Sequence, residues 1–439
     1  MGRPGREKPP WPIARQLFDQ RCGSSHGELK SGEGHAGNLW QKAPRRCSHA
    51  ASIVPLRMQD LLILGGGIVG TGVARDAALR GLHVTLIEER AAGWGTSSRS
   101  SRMIHGGIRY LELGDFGLVK EALHERAILL RIAPELVRPA PFLFVMDAGE
   151  YWQWCRIGIG VMLYKTLAGR HALGPHHPLT RRQVVRREPL LADAPLLGGA
   201  LYQDARGDDI GLVWANLSSA MRAGARVMEH TNPRIAIEDD HVVATLPSGR
   251  RIMARALVLA LGPWTDEVRQ EIGLPDLDLV GGTKGIHITF GQHRVPLHHA
   301  VTLRHPDDGR VMFCIPEPEH ERVLVGTTDT ETDEPPGRLT VPEHDVDYLI
   351  RAVRHLFPRL DLTADDIRDR WAGVRPLLKQ SGKESSRSRE HLLLHEGRVL
   401  TIAGGKLTTY RAMAEEAVDA VGQILGRELP ACVTATTAL

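Results

Sequence analysis

Three glycines near the start of an apolar segment have the spacing that phosphate binding requires. Gly65, Gly67 and Gly70 form the pattern G-x-G-x-x-G. Glycines at this spacing let the backbone approach a pyrophosphate, and a helix N-terminus behind them favours its negative charge. Glu88 lies 23 positions after Gly65, near the spacing of the acid that binds ribose hydroxyls. Because this carboxylate would repel a 2′-phosphate, the pattern predicts FAD or NAD rather than NADP.

The residues around these glycines predict a strand, a helix and a second strand. Asp60–Leu64 is a short apolar run, Gly70–Leu79 has helical composition, and His83–Ile87 is rich in β-branched residues. This order puts the glycines between a strand and a helix N-terminus, which is the context that the motif needs. The alternative is a glycine turn in a βαβ unit that binds no nucleotide, and the acid at position 88 argues against it.

A second strand–glycine–helix unit closes the chain. Arg398–Ala403 is an apolar strand, Gly404 and Gly405 follow it, and Thr408–Leu425 is an amphipathic helix. Nicotinamide enzymes of the two-half type place their second mononucleotide unit directly after the first. Here most of the chain separates the two units, which favours a flavoprotein. The predicted fold is α/β, with a discontinuous Rossmann-like FAD-binding domain and an inserted mixed-sheet α+β substrate domain.

The predicted domain organisation has seven parts. Residues 1–57 are rich in Pro, Gly, Arg and His and are interpreted as a disordered leader or a misassigned start, with Met58 as the initiator. The other parts are FAD-binding segments 58–135, 196–264 and 371–426, a mixed segment 136–195, a substrate domain 265–370 and a tail 427–439.

One apolar segment has two interpretations. Tyr151–Leu167 is apolar and aromatic, but it is short and interrupted by Arg156 and Lys165. It is too short to span a bilayer, and no run of 18 apolar residues occurs anywhere in the chain. The segment is either a membrane-facing helix at the lipid interface or a buried core helix. The sequence does not decide between them.

Charge and cysteine content exclude some function classes. The net charge is +3, but residues 1–57 carry +6 and the remainder carries −3, so no nucleic-acid partner is expected. The five cysteines include no C-x-x-C pair, which argues against a disulfide framework or a zinc site. We therefore expect no metal and a reducing compartment.

Five motifs give the chain a family resemblance. They are Thr96–Tyr110, Lys284–His287, Gly326–Asp329, Gly373–Leu377 and Gly404–Arg411.

With these motifs the chain resembles the FAD-dependent glycerol-3-phosphate dehydrogenases, a branch of the D-amino-acid-oxidase-like flavoproteins. The resemblance runs from about Gln59 to about Leu425. It implies FAD as cofactor, sn-glycerol 3-phosphate as substrate, a membrane quinone as electron acceptor and a peripheral position on the cytoplasmic membrane. The family usually continues into a C-terminal helical domain, which has no counterpart before Leu439, so the oligomeric state stays open.

The resemblance assigns the substrate phosphate to Arg109, Tyr110, Arg375 and Arg389. Arginine suits this task because its planar guanidinium pairs bidentately with phosphate oxygens. In a chain with 46 arginines and nine lysines, any single arginine has a surface charge as its alternative interpretation. A lysine kept inside a motif, such as Lys406, is therefore the stronger signal.

The resemblance and the chemistry together give three catalytic candidates. His287 is expected to accept the hydroxyl proton, because imidazole titrates near neutral pH. His105 is the second choice and is interpreted as a cofactor contact. Lys406 is expected to reach the active site and support the reduced flavin, and Arg375 to act on the bound substrate.

The predicted cofactor contacts extend beyond the first glycine turn and its acid. They are Thr96, Ser97, Ser98, His105, Gly262, Gly404, Gly405, Lys406, Leu407 and Thr408. Two other functions remain open: oxidation of another 2-hydroxy acid or an amine, and flavin binding without activity. The arginine cluster discriminates, because a substrate with a carboxylate alone needs fewer cations.

Overall fold

The computed structural model describes residues 58–111, 114–149, 151–379 and 391–439, without the side chains of Arg109 and Gln153. The leader 1–57 and Arg389 lie outside the described residues. The strands, in chain order, are β1 (Gln59–Leu64), β2 (Val84–Ile87), β3 (Met103–Ile104), β4 (Val137–Asp147), β5 (His177–Thr180), β6 (Leu196–Gly207), β7 (Arg226–Met228), β8 (Arg234–Ile237), β9 (Val242–Thr245), β10 (Arg251–Leu259), β11 (Val280–Gly291), β12 (Ala300–Arg304), β13 (Val311–Glu317), β14 (Arg322–Gly326), β15 (Thr330–Glu331), β16 (Ile367–Leu378), β17 (His391–Glu396) and β18 (Val399–Gly404).

The helices alternate with these strands. They are α1 (Ile68–Leu79), α2 (Phe116–Ile132), α3 (Tyr151–Ala168), α4 (Arg181–Arg187), α5 (Asp209–Arg222), α6 (Thr265–Glu271), α7 (Glu343–Leu356) and α8 (Tyr410–Leu425). Short 3-10 helices at Thr96–Ser98, Ile108–Leu111, Gly262–Trp264 and Leu407–Thr409 lie in the connections.

The first sheet is built around parallel strands. Within the described residues its order is β17–β18–β10–β1–β2–β7, with β9 pairing β10 and β8. β18, β10, β1, β2 and β7 run parallel. Helices α1, α5 and α8 cover one face of this sheet. The close approach of α1 to α8 depends on Gly72, because a Cβ added there would lie 3.0 Å from the Tyr410 ring. The carboxyl ends of parallel strands share one edge, where such sheets bind ligands.

The second sheet is mixed and larger. Its order in the described chain is β15–β11–β14–β13–β12–β4–β6–β3, with β16 paired to β11 and β5 to β6. The apolar face of α7 packs on one side, where Leu349 and Val353 meet Ile288. Helices α2 and α3 pack on the other, where Val161 and Tyr164 meet Phe142. Two sheets with separate cores agree with the predicted α/β fold class.

The sheet boundaries differ from the predicted domain boundaries. β6 lies inside the predicted FAD-binding segment 196–264, yet it pairs with β4 of the second sheet along its whole length. β16 likewise extends past residue 371 while paired to β11. The backbone hydrogen bonds of β6 and β16 are satisfied by a long antiparallel strand of the second sheet. The apolar pattern of a strand does not show which sheet supplies its partner, so the sequence could not place these boundaries.

Helix α3 has a buried side and an exposed side. Ile157, Val161 and Tyr164 are buried, whereas Trp152 and Ile159 are 78% and 70% exposed. One side of the helix therefore belongs to the core, as the second interpretation expects, and membrane contact of the other side stays a prediction. In the part of the chain that the structure describes, no helix is long and apolar enough to cross a membrane.

Candidate active site

A cavity of about 600 Å³ lies where the two sheets meet. On one side it is bounded by the ends of the parallel strands, at Leu64, Ile87 and Ile402. On the other it is bounded by β11 and β16, through His287 and Arg375. The fold therefore brings the carboxyl edge of the first sheet against one face of the second.

The three glycines of the first turn have different structural roles. Gly65 has a φ of +104°, and an added Cβ would overlap the carbonyl oxygen of Ala260. A Cβ at Gly70 would overlap the carbonyl oxygen of Gly65, so this residue permits helix–strand contact and does not line the cavity. Gly67 lines the cavity at the start of α1, and its Cβ would meet only the Ser97 hydroxyl, at 3.3 Å. Gly67 thus leaves an open approach to the helix N-terminus.

Glu88 lines the cavity beside this turn. Its carboxylate accepts hydrogen bonds from the backbone N–H of Gly66 at 2.6 Å and of Arg90 at 2.8 Å. These two donors hold the carboxylate at the end of β2. The position suits contact with a ribose, as the spacing predicts.

The hydroxyl-rich loop after β2 has mixed roles. The Ser97 hydroxyl accepts from the Ile68 N–H at 3.0 Å, and the Thr96 hydroxyl donates to the Val374 carbonyl at 2.7 Å. Both residues line the cavity. The Ser98 hydroxyl instead donates to the preceding turn, at Gly95, and Ser98 does not line the cavity. Of these three predicted contacts, Ser98 is the one placed away from the cavity.

The closing loop presents a cation at the start of a helix. Gly404 and Gly405 have φ values of +76° and +88°, and Lys406 begins the short helix that leads into α8. The ammonium of Lys406 lies 3.8 Å from the centre of the Tyr110 ring, a cation–π contact. The Thr408 hydroxyl accepts from the His105 N–H at 3.1 Å, which joins this loop to the segment after β3. Other predicted contacts that also line the cavity are Gly262 and Leu407.

The cavity wall contributed by the second sheet has a regular pattern. β11 and β16 pair so that Thr283 faces Arg375, Gly285 faces Gly373, and His287 faces Trp371. Alternate residues of a strand share one face, so these three pairs face the same way. The middle pair lacks side chains, and the space over it is taken by Arg375 at Gly285 and by Arg99 at Gly373, where an added Cβ would lie 2.8 Å from the Arg99 Cβ.

The guanidinium of Arg375 lies over Gly285. A Cβ on Gly285 would overlap its Nη2 atom. Nη1 donates to Asp329 at 2.8 Å, and Nη2 donates to the Thr327 hydroxyl at 2.9 Å and the Thr328 carbonyl at 3.0 Å. These partners fix the orientation of a cation whose side chain is still 22% exposed.

His287 is buried and neutral. Its ring stacks on Trp371 with a centroid distance of 5.4 Å and an interplanar angle of 17°. Burial, with Arg375 and Arg102 adding repulsion, lowers its pKa to about 3. The prediction of a histidine that titrates near neutral pH is therefore wrong for this substrate-free site.

Several site residues were not among the sequence-based candidates. The Ser101 hydroxyl lies 2.9 Å from His287 Nε2, Trp371 supports the ring, and Thr327 orients Arg375. Asp329 ends one of the five motifs and accepts from Arg375 at 2.8 Å. For Trp371, the sequence signal is the alternation of side chains along β16, which places it beside His287 only when the register between β11 and β16 is known. Among the predicted phosphate ligands, Tyr110 and Arg375 line the cavity, whereas Arg109 has only its backbone described.

Comparison with known proteins agrees with this geometry. The family model "FAD dependent oxidoreductase" matches residues 60–418. The aerobic glycerol-3-phosphate dehydrogenase of Staphylococcus haemolyticus is 37% identical over 379 residues, which is 84% of this chain and 68% of that protein. The protein of the same name from Staphylococcus aureus (strain USA300) is 36% identical with the same coverage. The chain belongs to the FAD-dependent glycerol-3-phosphate dehydrogenase family.

Solved structures of this family and fold superpose on the chain. The glycerol-3-phosphate dehydrogenase from Bacillus halodurans complexed with FAD gives a TM-score of 0.68 at 32% identity, covering 86% of this chain and 67% of that one. The glycine oxidase from Geobacillus kaustophilus gives 0.67 at 23% identity, covering 87% and 98%, and supports the fold alone.

The cofactor of this family member is FAD, as the sequence predicts. The cavity fits it, because it extends from the open glycine at position 67 to the Lys406 loop, with a helix N-terminus at each end. Gly67 and Ser97 would hold the pyrophosphate, Glu88 the ribose, and Lys406 the pyrimidine end of the ring. When bound, the flavin supplies a hydride acceptor.

Proposed function

We propose that this chain oxidises sn-glycerol 3-phosphate to dihydroxyacetone phosphate with FAD as the electron acceptor. The observation that carries the proposal is the arrangement on β11 and β16: a fixed guanidinium, a pair of glycines and a buried imidazole on one face of the cavity. The names of the curated relatives support the same substrate.

The charge around Arg375 suits a phosphate. Asp329 accepts from Arg375 at 2.8 Å and pairs with Arg310 at 3.1 Å. Two guanidinium groups thus share this carboxylate, and Arg310 also pairs with Asp308 at 3.7 Å. Of the two, Arg375 lines the cavity, where it could form charge-assisted hydrogen bonds to a phosphate dianion.

The distance along β11 and β16 between the Arg375 guanidinium and His287 is comparable to the length of a small substrate. The His287–Trp371 pair lies two residues, about 7 Å, along the strands from the Gly285–Gly373 pair, over which the guanidinium sits. A three-carbon phosphate ester anchored on Arg375 would extend through the cavity toward His287, with its secondary hydroxyl on the imidazole side.

Lys406 has a separate role in this proposal. Its ammonium lies on the opposite wall, against Tyr110 at the start of the helix that leads into α8. A permanent positive charge there favours the negative charge that the pyrimidine end of a flavin gains on reduction. Proton acceptance and charge stabilisation are thus assigned to different walls.

For the acceptor we propose a membrane quinone, reached from the cytoplasmic side. The support is the exposed side of α3, where Trp152, Ile159 and Met162 stand beside the exposed cations Arg156 and Lys165. An apolar face flanked by cations is typical of helices that lie in the lipid interface. Ile159→Glu should weaken sedimentation with anionic vesicles and leave flavin reduction unchanged; equal sedimentation would contradict the membrane contact.

The phosphate recognition is tested with Arg375→Ala. The change removes a cation with bidentate hydrogen-bonding geometry, so transition-state binding of sn-glycerol 3-phosphate should weaken by about 2–5 kcal/mol, which is measured as a lower kcat/KM. The kcat/KM for glycerol should change little. Arg255→Ala, at an exposed position on β10, is the matched control. An unchanged ratio of the two kcat/KM values would exclude Arg375 from phosphate recognition.

A further inference from the structure

The single hydrogen bond that the structure gives the His287 ring points to Ser101. The Ser101 hydroxyl lies 2.9 Å from Nε2, and both residues line the cavity. His287 is only 3% exposed. Its other nitrogen, Nδ1, is buried and has no hydrogen-bond partner among the described residues. Nε2 is therefore the nitrogen with a polar connection to the cavity.

The His287 ring is confined in this orientation. Trp371 stacks on it, and Gly326 packs so closely that an added Cβ would overlap Cδ2 of the imidazole. Rotation of the ring to present Nδ1 to the cavity would have to displace these neighbours. Proton exchange between this ring and a bound ligand is thus directed through Nε2.

The residues on both sides of Ser101 are anchored. The Ser100 hydroxyl donates to Asp209 at 2.7 Å and accepts from the Arg102 N–H at 2.9 Å. The Arg102 side chain is buried and donates to Glu317 at 3.0 and 3.2 Å. These contacts fix the backbone of Ser101 from both sides, so its hydroxyl is held at the imidazole.

We propose that Ser101 relays the proton of the substrate hydroxyl to His287. This inference rests on the proposed oxidation of sn-glycerol 3-phosphate and names a catalytic residue for it. The substrate hydroxyl would donate to Ser101 Oγ, and the Ser101 hydroxyl would donate to His287 Nε2.

The step is balanced in protons and electrons. The O–H bond of the substrate breaks as a new O–H bond forms on Ser101, and the original Ser101 O–H bond breaks as an N–H bond forms at Nε2. Ser101 is unchanged at the end, and His287 carries the proton. The C2–H electron pair leaves as hydride to FAD, so the alcohol is oxidised and FAD is reduced.

The relay requires one particular tautomer before reaction. If Ser101 donates to Nε2, the proton of the neutral ring is on Nδ1. Histidine-selective ¹⁵N NMR of the FAD-loaded protein, with His287→Gln to assign the signal, reads this directly. We expect a single Nδ1–H tautomer in the wild type and its loss in Ser101→Ala. An Nε2–H tautomer in the wild type, or the same spectrum in Ser101→Ala, would overturn the relay.

Kinetics give an independent test. Anaerobic flavin reduction by sn-glycerol 3-phosphate should slow by about 10²–10⁴-fold in Ser101→Ala and in His287→Gln. The double variant should be no slower than the slower single variant, because groups that act as one unit are not additive. Ser101→Thr keeps the hydroxyl and should restore most of the rate. Ser248→Ala, an exposed serine in the β9–β10 turn, is the control.

The outcomes separate the relay from the proposed function. FAD content, measured from the visible absorbance of each variant, shows that the site is assembled. If the wild type is reduced and Ser101→Ala is equally fast, the relay alone is overturned. If the two single losses add in the double variant, Ser101 and His287 act separately and the relay is again overturned. If sn-glycerol 3-phosphate does not reduce the wild type, the proposed function fails and the relay fails with it.

Discussion

His287 shows how the surroundings of one side chain change its chemistry. A histidine in a motif suggests an imidazole that titrates near pH 7. In the folded chain, burial and two nearby guanidinium groups lower the pKa to about 3, so the ring is neutral throughout the physiological range. In the proposed reaction, a phosphate bound at Arg375 would oppose one of these repulsions and raise the pKa of His287.

The lowered pKa predicts a pH-dependent stability. Below the unfolded pKa of about 6.5 the unfolded chain protonates His287 while the folded chain does not, so this residue lowers the free energy of unfolding as pH falls. The slope is about 1.4 kcal/mol per pH unit. Between about pH 7.5 and about pH 5.5, urea unfolding of the wild type should lose about 1 kcal/mol more than His287→Gln does. Parallel pH dependences of the two proteins would contradict the assignment.

The sequence identified the site cations and the imidazole better than it identified their supports. Arg375 and Lys406 both line the cavity, as the motifs suggest. Trp371 was missed because its contact with His287 depends on the pairing of β11 and β16, which no local spacing records. Ser101 and Thr327 were missed because they lie in connections that only the folded chain brings to this face.

At the scale of elements, the first glycine turn separates folding from cofactor binding. Gly65 and Gly70 meet backbone atoms of the protein itself, whereas Gly67 faces the cavity. One motif thus contains positions whose substitution should damage the fold and one whose substitution should damage FAD binding.

This division predicts opposite phenotypes for two alanine substitutions. Gly70→Ala should lower the thermal midpoint strongly, because its Cβ would overlap the Gly65 carbonyl. Gly67→Ala should stay folded but bind FAD at least about tenfold more weakly, a change of about 1.4 kcal/mol. Gly117→Ala is the control, because its Cβ would meet nothing within 4 Å. Full FAD affinity in Gly67→Ala would contradict the assigned pyrophosphate contact.

Element prediction succeeded where the pattern is local. β1, α1 and β2 follow the order expected around the glycine motif, and β18 and α8 lie where the closing strand and helix are predicted. β11 extends well beyond the Lys284–His287 motif, because its pairing to β16 begins at Val280. The sequence showed strands in the substrate region, but only the structure shows that β4 and β6 join the same sheet.

At the scale of the whole molecule, a buried ionic cluster links the two sheets. Arg102 lies between the short helix Thr96–Ser98 and β3. It pairs with Glu317 on β13 at 3.0 Å and with Asp209 on α5 at 3.9 Å. Glu317 also accepts from Arg322 at 2.8 Å. Because α5 packs on the first sheet and β13 belongs to the second, Arg102 holds both sides of the cavity in register.

Removal of this cation should destabilise the protein. Arg102→Met removes the cation that pairs with buried Asp209 and one of the two cations that pair with buried Glu317, which costs about 3–5 kcal/mol. Guanidinium unfolding should show that loss, and Arg102→Met with Glu317→Gln should recover part of it. Arg255→Met, at an exposed position, is the control. A loss below about 1 kcal/mol would show that the cluster does not join the two halves.

The family and cofactor were accessible from the sequence because five motifs occur in order along it. The shape of the cavity was not, since it depends on how the edge of one sheet meets the face of the other.

The most direct test of the account is anaerobic addition of sn-glycerol 3-phosphate to the FAD-loaded protein, followed by the visible absorbance of the flavin. The account predicts bleaching by one equivalent of substrate, little or none by the same amount of glycerol, and a strong loss of bleaching in Arg375→Ala. Flavin that stays oxidised with sn-glycerol 3-phosphate, or that glycerol bleaches equally fast, would contradict the proposed oxidation.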